Sequence, residues 1–281
     1  MNRLLVFGLG YTGSAIADAA RSAGFLVAGT TRAGLDQSLR FDQAAHAIQS
    51  ATHLLTTAAP DQDGDPVLAN YAGAIAAAPD LRWIGYLSST VVYGNRDGQW
   101  VDEDTAVAPS QARGQRRVEA EDAWSRFAEK AGVDIFRLAG IYGPGRSTFN
   151  DLRAGRARRM KKAGHMFGRI HRDDIARAVV AAMRQERTAG RRVLNLADDE
   201  PSESAAVVME AALLLGMTAP AEVAFEDALP AMTPMARSFW AENRKVSNAK
   251  TKAALGIEWL YPTYREGLRA ILAQERGDRP G

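Results

Sequence analysis

The chain has 281 residues, 46% of them apolar, enough to bury a large core as one α/β domain with at most a small annex. A formal net charge of only +2 gives no support to a nucleic-acid binder, and the absence of cysteine excludes disulfides, thiolate catalysis and cysteine-ligated metal. The opening MNRLLVFGLG is too short an apolar run for a signal peptide, and no window approaches the roughly 20 apolar residues that span a bilayer. A soluble cytoplasmic protein is expected.

In chain order, short unbroken apolar runs at Leu4 to Phe7, Phe25 to Thr30, His53 to Thr57, Trp83 to Ser88 and Val133 to Leu138 predict strands buried on both faces. Ala-rich stretches with helical spacing lie between them, at Tyr11 to Ala23, Pro66 to Ala78 and Gln115 to Ala131. A further helix behind Asp173 or Asp174 and a strand at Arg192 to Leu196 extend the pattern. Repeated βαβ units predict a Rossmann-type doubly wound parallel sheet. Residues 1–147 with about 171–198 form its dinucleotide-binding domain. Residues 148–170 and 199–281, mixed in pattern, form a small α/β substrate-binding part, and Arg276 to Gly281 is expected to fray.

Gly8-Leu-Gly10-Tyr-Thr-Gly13 ends the first strand and opens the first helix, the setting in which GxGxxG has a physical meaning. Gly8 permits the tight turn, Gly10 lets the backbone approach a pyrophosphate, and Gly13 lets helix and strand pack closely. Tyr11, Thr12 and Gly13 then present free N–H groups at the positive end of the helix. After the second strand an NAD enzyme usually places an acid for the ribose 2′-hydroxyl, whereas this chain has Thr30, Thr31 and Arg32. A guanidinium suits a 2′-phosphate, which favours NADP(H) over NAD(H); the alternative is that Arg32 is a solvated loop residue. Asp42, which could touch the adenine or cap a helix, and Ala58, Ala59 and Ser88 at later strand ends complete the expected cofactor contacts.

The segment Tyr86 to Gly94 (YLSSTVVYG) resembles the extended short-chain dehydrogenases/reductases, the family of nucleotide-sugar epimerases and dehydratases. Arg137 to Gly145 (RLAGIYGPG), Ile170 to Ala176 (IHRDDIA) and the stretch from Ala254-Leu-Gly256 to Gly267-Leu268 agree in order and spacing, so the resemblance covers nearly the whole chain. Two departures stand out. The family's GxxGxxG turn has Phe7 at its first position here, with Gly8 beside it. The family's YxxxK pair falls on Arg113 and Arg117, since the Lys-x-x-x-Glu of relatives matches Arg117 to Glu121. The resemblance implies that a tyrosine would exchange a proton with the substrate oxygen, a lysine would hold the nicotinamide ribose, and a serine would orient the substrate.

Arginine cannot readily take over the proton step, because its pKa lies far above any working pH. Arg117 could still hold the ribose, and Arg113 could bind an anionic substrate or stabilise developing negative charge. Ser89 occupies the family's serine position, with local backbone capping as its alternative role. Tyr93 is the nearest replacement proton donor, although the family's tyrosine there mainly packs. His171 at a helix entry points to a structural role, and Asp174 reads as that helix's cap.

From Arg153 to Arg172 eight basic residues occur with no acid among them, so either a solvated face or an anionic-substrate site results. Arg146 and Arg169 are the candidate substrate contacts. No aromatic platform interleaves with these charges, against nucleic acid. Asp61 to Asp65 lacks the glutamate of a calcium loop, and the four scattered histidines predict no metal site. Two functions remain: an NADP(H)-dependent oxidoreductase, epimerase or dehydratase acting on a small, anionic, nucleotide- or phosphate-linked substrate, or a non-catalytic NADP(H)-binding sensor or scaffold. Either would be a monomer or a homodimer, with Pro66 to Ala78 and Gln115 to Ala131 as the dimer helices by analogy.

Overall fold

The computed structural model describes residues 1–34, 38–185 and 187–278. Seven strands form one parallel sheet: β1 (Arg3–Phe7), β2 (Leu26–Thr31), β3 (Leu39–Arg40), β4 (His53–Thr56), β5 (Trp83–Ser89), β6 (Gly132–Leu138) and β7 (Gly190–Leu196). Their order is β7-β6-β5-β4-β1-β2-β3, so the direction of winding reverses between β1 and β4. In such sheets a crevice opens at the carboxyl ends of the strands at that point.

Helices cover both faces, which is why the apolar runs are unbroken. On one face α1 (Tyr11–Ser22) and α6 (Arg172–Arg184) pack Ile16, Ala20, Ile175 and Val179 against Leu4, Val6 and Phe136. On the other, α2 (Ala45–Ser50), α3 (Pro66–Ala77) and α4 (Ala112–Ser125) bring Ile48, Tyr71, Ile75 and Trp124 onto Leu5, Phe7, Ile84 and Ile135. Each fully buried large apolar side chain contributes about 1.5–3 kcal/mol.

Helix entries follow local chemistry. Asp65 accepts from the N–H groups of Val67 (2.9 Å) and Leu68 (3.0 Å), with Pro66 at the first helical position. The helix expected over Gln115 to Ala131 begins three residues earlier, at Ala112, and gives way to a 3₁₀ turn over Arg126–Glu129. Arg113 therefore sits in the first turn of α4.

Beyond the sheet, α5 (Thr148–Arg153), α7 (Ser204–Leu214) and the helix Tyr264–Arg276 share a cluster around Phe149, Val208, Leu268 and Ile271. A smaller cluster of Met232 and Trp240 packs with Phe167 and Phe225. Val246, Leu255 and Trp259 return to the main core. The last helix runs to Arg276 and closes on left-handed Gly277, so the fraying expected from Arg276 does not begin there; residues 279–281 lie outside the described residues. No helix among the described residues is long and apolar enough to cross a membrane.

Candidate active site

The glycine turn is held by contacts that leave no room for side chains at two of its positions. Gly8 has φ +97°, and a Cβ there would lie 2.6 Å from Thr57 Oγ1, whose hydroxyl donates to the Gly8 carbonyl at 2.7 Å. A Cβ on Gly13 would meet the Gly8 carbonyl oxygen at 2.1 Å. Gly10 differs: a Cβ there would have nothing within 4 Å, so its backbone faces open space. Helix α1 opens on Gly10 with no side-chain cap and no acid in its first turn, leaving the first N–H groups, at Tyr11, Thr12 and Gly13, for an anion.

Beside the turn lies a cleft of about 670 Å³ whose lining includes Gly8, Gly10, Thr31, Arg32, Ala58 and Ala59. Arg32 is exposed at its rim. Asp42 also lines it, but Arg40 donates to both Asp42 carboxylate oxygens, at 3.1 and 2.8 Å. Asp42 thus caps no helix; it pairs with the Arg40 guanidinium. An open glycine backbone, uncapped N–H groups and the Arg32 guanidinium fit a dinucleotide.

A second pocket, of about 500 Å³, continues past Ala59. Its polar lining includes Ser89, Arg113, Arg117, Arg146, Glu242 and Arg244. Arg117 donates to the Tyr86 hydroxyl (3.0 Å) and the Leu87 carbonyl (2.7 Å). Burial pushes the Tyr86 hydroxyl up to about 12, against the lowering effect of Arg117. Arg113 lies 4.5 Å from the centre of the exposed Phe239 ring. Arg146 and Arg172 lie over the Tyr11 ring at 5.7 and 4.9 Å, and the Tyr11 hydroxyl is tied to the Pro144 carbonyl at 3.0 Å. Ser89 accepts from the Val91 N–H at 3.3 Å and so also caps the 3₁₀ turn that follows β5.

Glu242 and Arg244 were not foreseen from the sequence. They follow the helix Pro234–Trp240, and Arg244 donates from Nη1 to Glu242 (2.7 Å) and to the Gly94 carbonyl (2.9 Å). Burial lowers the Arg244 pKa, and nearby Arg113 and Arg96 add to that while Glu242 opposes it. Ser110 donates to the other Glu242 oxygen at 2.6 Å. A short polar stretch without periodicity carries no local sign of this placement.

Three expected contacts are not brought to either cleft. Ser88, adjacent to Ser89 on a strand, faces the opposite way and donates to buried Glu121 at 2.6 Å. Tyr93 is fully buried and donates to Asn195 at 2.7 Å, its hydroxyl pushed up by burial. Arg169 donates to the Ser202 hydroxyl (2.9 Å) and to the Phe167 and Ser202 carbonyls, within the fold.

The basic run is largely paired: Arg153 with Glu275, Arg156 with Asp151, Arg159 and Lys161 with Glu222, and Arg172 with Asp173. The cap of α6 is His171, whose Nδ1 accepts from the Asp173 N–H at 3.2 Å, in place of the expected Asp174. Asp174 lies inside the helix, and its carboxylate accepts from the N–H groups of Leu260 (2.7 Å) and Tyr261 (3.0 Å). Among the described residues no cluster could hold a metal ion.

Sheet order, glycine turn and clefts define the class: a Rossmann-type nucleotide-binding fold, that of the epimerases and dehydratases. A functionally unknown conserved protein from Silicibacter pomeroyi DSS is 43% identical, with a TM-score of 0.91 over 98% of this chain and 99% of that one. A Methylobacillus flagellatus protein assigned to the NAD-dependent epimerase/dehydratases is 25% identical, with a TM-score of 0.76 over 98% and 99% of the two chains. The human epimerase family protein SDR39U1, solved with NADPH, shares the fold at 18% identity, with a TM-score of 0.82 over 96% and 98% of the two chains. No protein-family model matches the chain, and no curated protein does. The chain belongs to one family with the functionally unknown Silicibacter protein and shares the fold of the NAD-dependent epimerases/dehydratases.

Proposed function

We propose that this protein is an NADP(H)-dependent enzyme that oxidises, reduces, epimerises or dehydrates a small anionic substrate, nucleotide- or phosphate-linked in form. The observation that carries this is Ala59, which lines both the glycine-turn cleft and the arginine pocket, so one elongated ligand can run from Arg32 to Arg117. In that arrangement Arg32 holds the 2′-phosphate, the N–H groups of Tyr11 to Gly13 hold the pyrophosphate, and Arg117 holds the nicotinamide ribose. NADP(H) bound there supplies or accepts a hydride at the nicotinamide. Ser89 then orients the substrate oxygen, while Arg113 and Arg146 attract its anionic group and stabilise charge that develops on it.

Residues 148–170 and 199–281 supply the substrate-binding part in this proposal. The protein works in the cytoplasm as a monomer or homodimer. The second reading, a non-catalytic NADP(H) sensor, is motivated by the arginines at the tyrosine and lysine positions and by the burial of Tyr93.

The test is turnover of a carbonyl and nucleotide-sugar panel by purified protein with NADPH, followed by Ser89→Ala on any substrate found. Turnover lost in Ser89→Ala with NADPH affinity kept supports the enzyme. No turnover and no solvent-proton exchange across the panel would favour the sensor.

A further inference from the structure

The proposed chemistry needs a group that can gain and lose a proton, and neither arginine at the family's YxxxK positions can do so near neutral pH. Among the described residues lining the arginine pocket, Glu242 is the one side chain, arginines apart, that carries a titratable group. It is buried, yet it borders the pocket. Its place in the fold is close to that of the missing tyrosine. Ser110, three residues before Arg113, donates to one Glu242 oxygen at 2.6 Å, and the Gln111 side chain holds the Ser238 carbonyl at 3.0 Å. The start of α4 and the stretch 238–242 are therefore stitched together around Arg113.

We infer that Glu242 is the catalytic acid/base of this site, exchanging the proton that the family's tyrosine exchanges elsewhere. The inference rests on the enzyme reading above. In the oxidative direction the substrate O–H bond breaks and its proton passes to a Glu242 oxygen. The C–H bond breaks with its electron pair, leaving as hydride to the oxidised nicotinamide, and the O–H electrons become the second bond of the carbonyl. In the reductive direction protonated Glu242 returns the proton to the oxygen as hydride arrives at carbon. Ser110, an exposed residue whose hydroxyl donates to the carboxyl, is the route by which the proton would reach solvent.

Arg244 pairs with Glu242 from the same stretch, while Arg113, which lines the same pocket from α4, and Arg96 act on Arg244. His165, in the neighbouring segment, is lowered to about 4 by burial, with Lys162 and Arg244 adding to the shift, and does not compete for the proton near neutrality. Arg244 also fixes the carboxylate's orientation through its bond to the Gly94 carbonyl.

The experiment has a binding arm and a kinetic arm, both on full-length NADP(H)-loaded protein. In the first, oxamate, which carries a carboxylate beside a carbonyl, is titrated by calorimetry into wild type and Glu242→Gln at neutral pH. If the carboxylate faces the ligand, removing its charge and adding an amide donor should tighten oxamate binding about tenfold. Equal or weaker binding by Glu242→Gln overturns the inference, and absence of oxamate binding in both proteins counts against it as well. In the second, on any substrate turned over, Glu242→Gln should lower kcat about 100-fold or more with KM little changed and remove the acidic limb of the pH profile, with partial return in Glu242→Asp. A retained acidic limb overturns the inference. Failure of wild type to bind NADP(H) would instead sink the enzyme reading, while oxamate binding to the cofactor-free proteins would still judge Glu242.

Discussion

Arg117 reaches across from α4 to the end of β5, where one of its nitrogens, Nη1, bonds both the Tyr86 hydroxyl and the Leu87 carbonyl. The guanidinium is thereby fixed in the lining of the pocket, and no other hydrogen bond ties it among the described residues. Arg117→Ala should raise the NADPH dissociation constant about tenfold, as expected for one charge-assisted contact. Tyr86→Phe removes only one of the two anchors and should cost far less. Isothermal titration of both variants decides it; equal effects would mean the tyrosine acts in its own right.

Arg32 stands exposed at the rim of the first cleft, near the Arg40–Asp42 pair. A guanidinium on a 2′-phosphate is worth about 1.5–3 kcal/mol, or roughly 10- to 100-fold in affinity. Arg32→Ala should therefore weaken NADPH by that factor and leave NADH nearly unchanged. Equal loss for both nucleotides would remove the 2′-phosphate role.

What could be read from the sequence was what is encoded locally. Gly8 and Gly13 announced their turn because each meets its constraint within a few residues or against the adjoining strand, while Gly10 between them faces open space. Leu4 to Phe7 and Val133 to Leu138 announced buried strands because a parallel sheet is covered on both faces. Ser88 and Ser89 could not both face the cofactor, since neighbouring strand residues point to opposite sides. Arg169 looked like a ligand contact because charge alone does not reveal that Ser202, far along the chain, satisfies it. Glu242 and Arg244 were invisible for the same reason: their contacts to Ser110 and Gly94 span more than a hundred residues.

Beneath the pocket, Glu121 and Arg137 form a nearly fully buried ion pair at 2.7 Å, completed by the Ser88 hydroxyl. Glu121→Gln leaves the Arg137 charge uncompensated and should cost about 3–5 kcal/mol in urea unfolding. The double change Glu121→Leu with Arg137→Met removes both charges and should recover most of that loss. Arg191, a second cation 3.6 Å from Glu121, can only add to the cost of the single variant, so a loss of no more than about 1 kcal/mol there would show that Arg137 is not left uncompensated when the carboxylate goes.

Burial lowers His53, His165 and His171 from 6.5 to about 4, with nearby arginine or lysine charges adding to the shift. Each is held neutral in the fold but protonates freely in the unfolded chain. The stability they contribute is therefore complete above about pH 6.5 and is lost as pH falls from there towards about 4, because the unfolded chain then binds more protons. Buried Asp198, raised well above its ordinary value by burial, acts in the opposite sense: its contribution is present at low pH and is lost as pH rises past the unfolded carboxylate value. The histidine share is separable by substitution. His53 packs its ring 5.1 Å from that of Phe25 and 6.0 Å from that of Trp83, so Phe fits its surroundings and cannot protonate. His53→Phe should flatten the fall in urea midpoint between about pH 6.5 and pH 5 relative to wild type, at a constant loss from the bond between the Thr52 hydroxyl and Nδ1 and from the ring's bond to the Met183 backbone. An unchanged slope would show that His53 protonates within the fold.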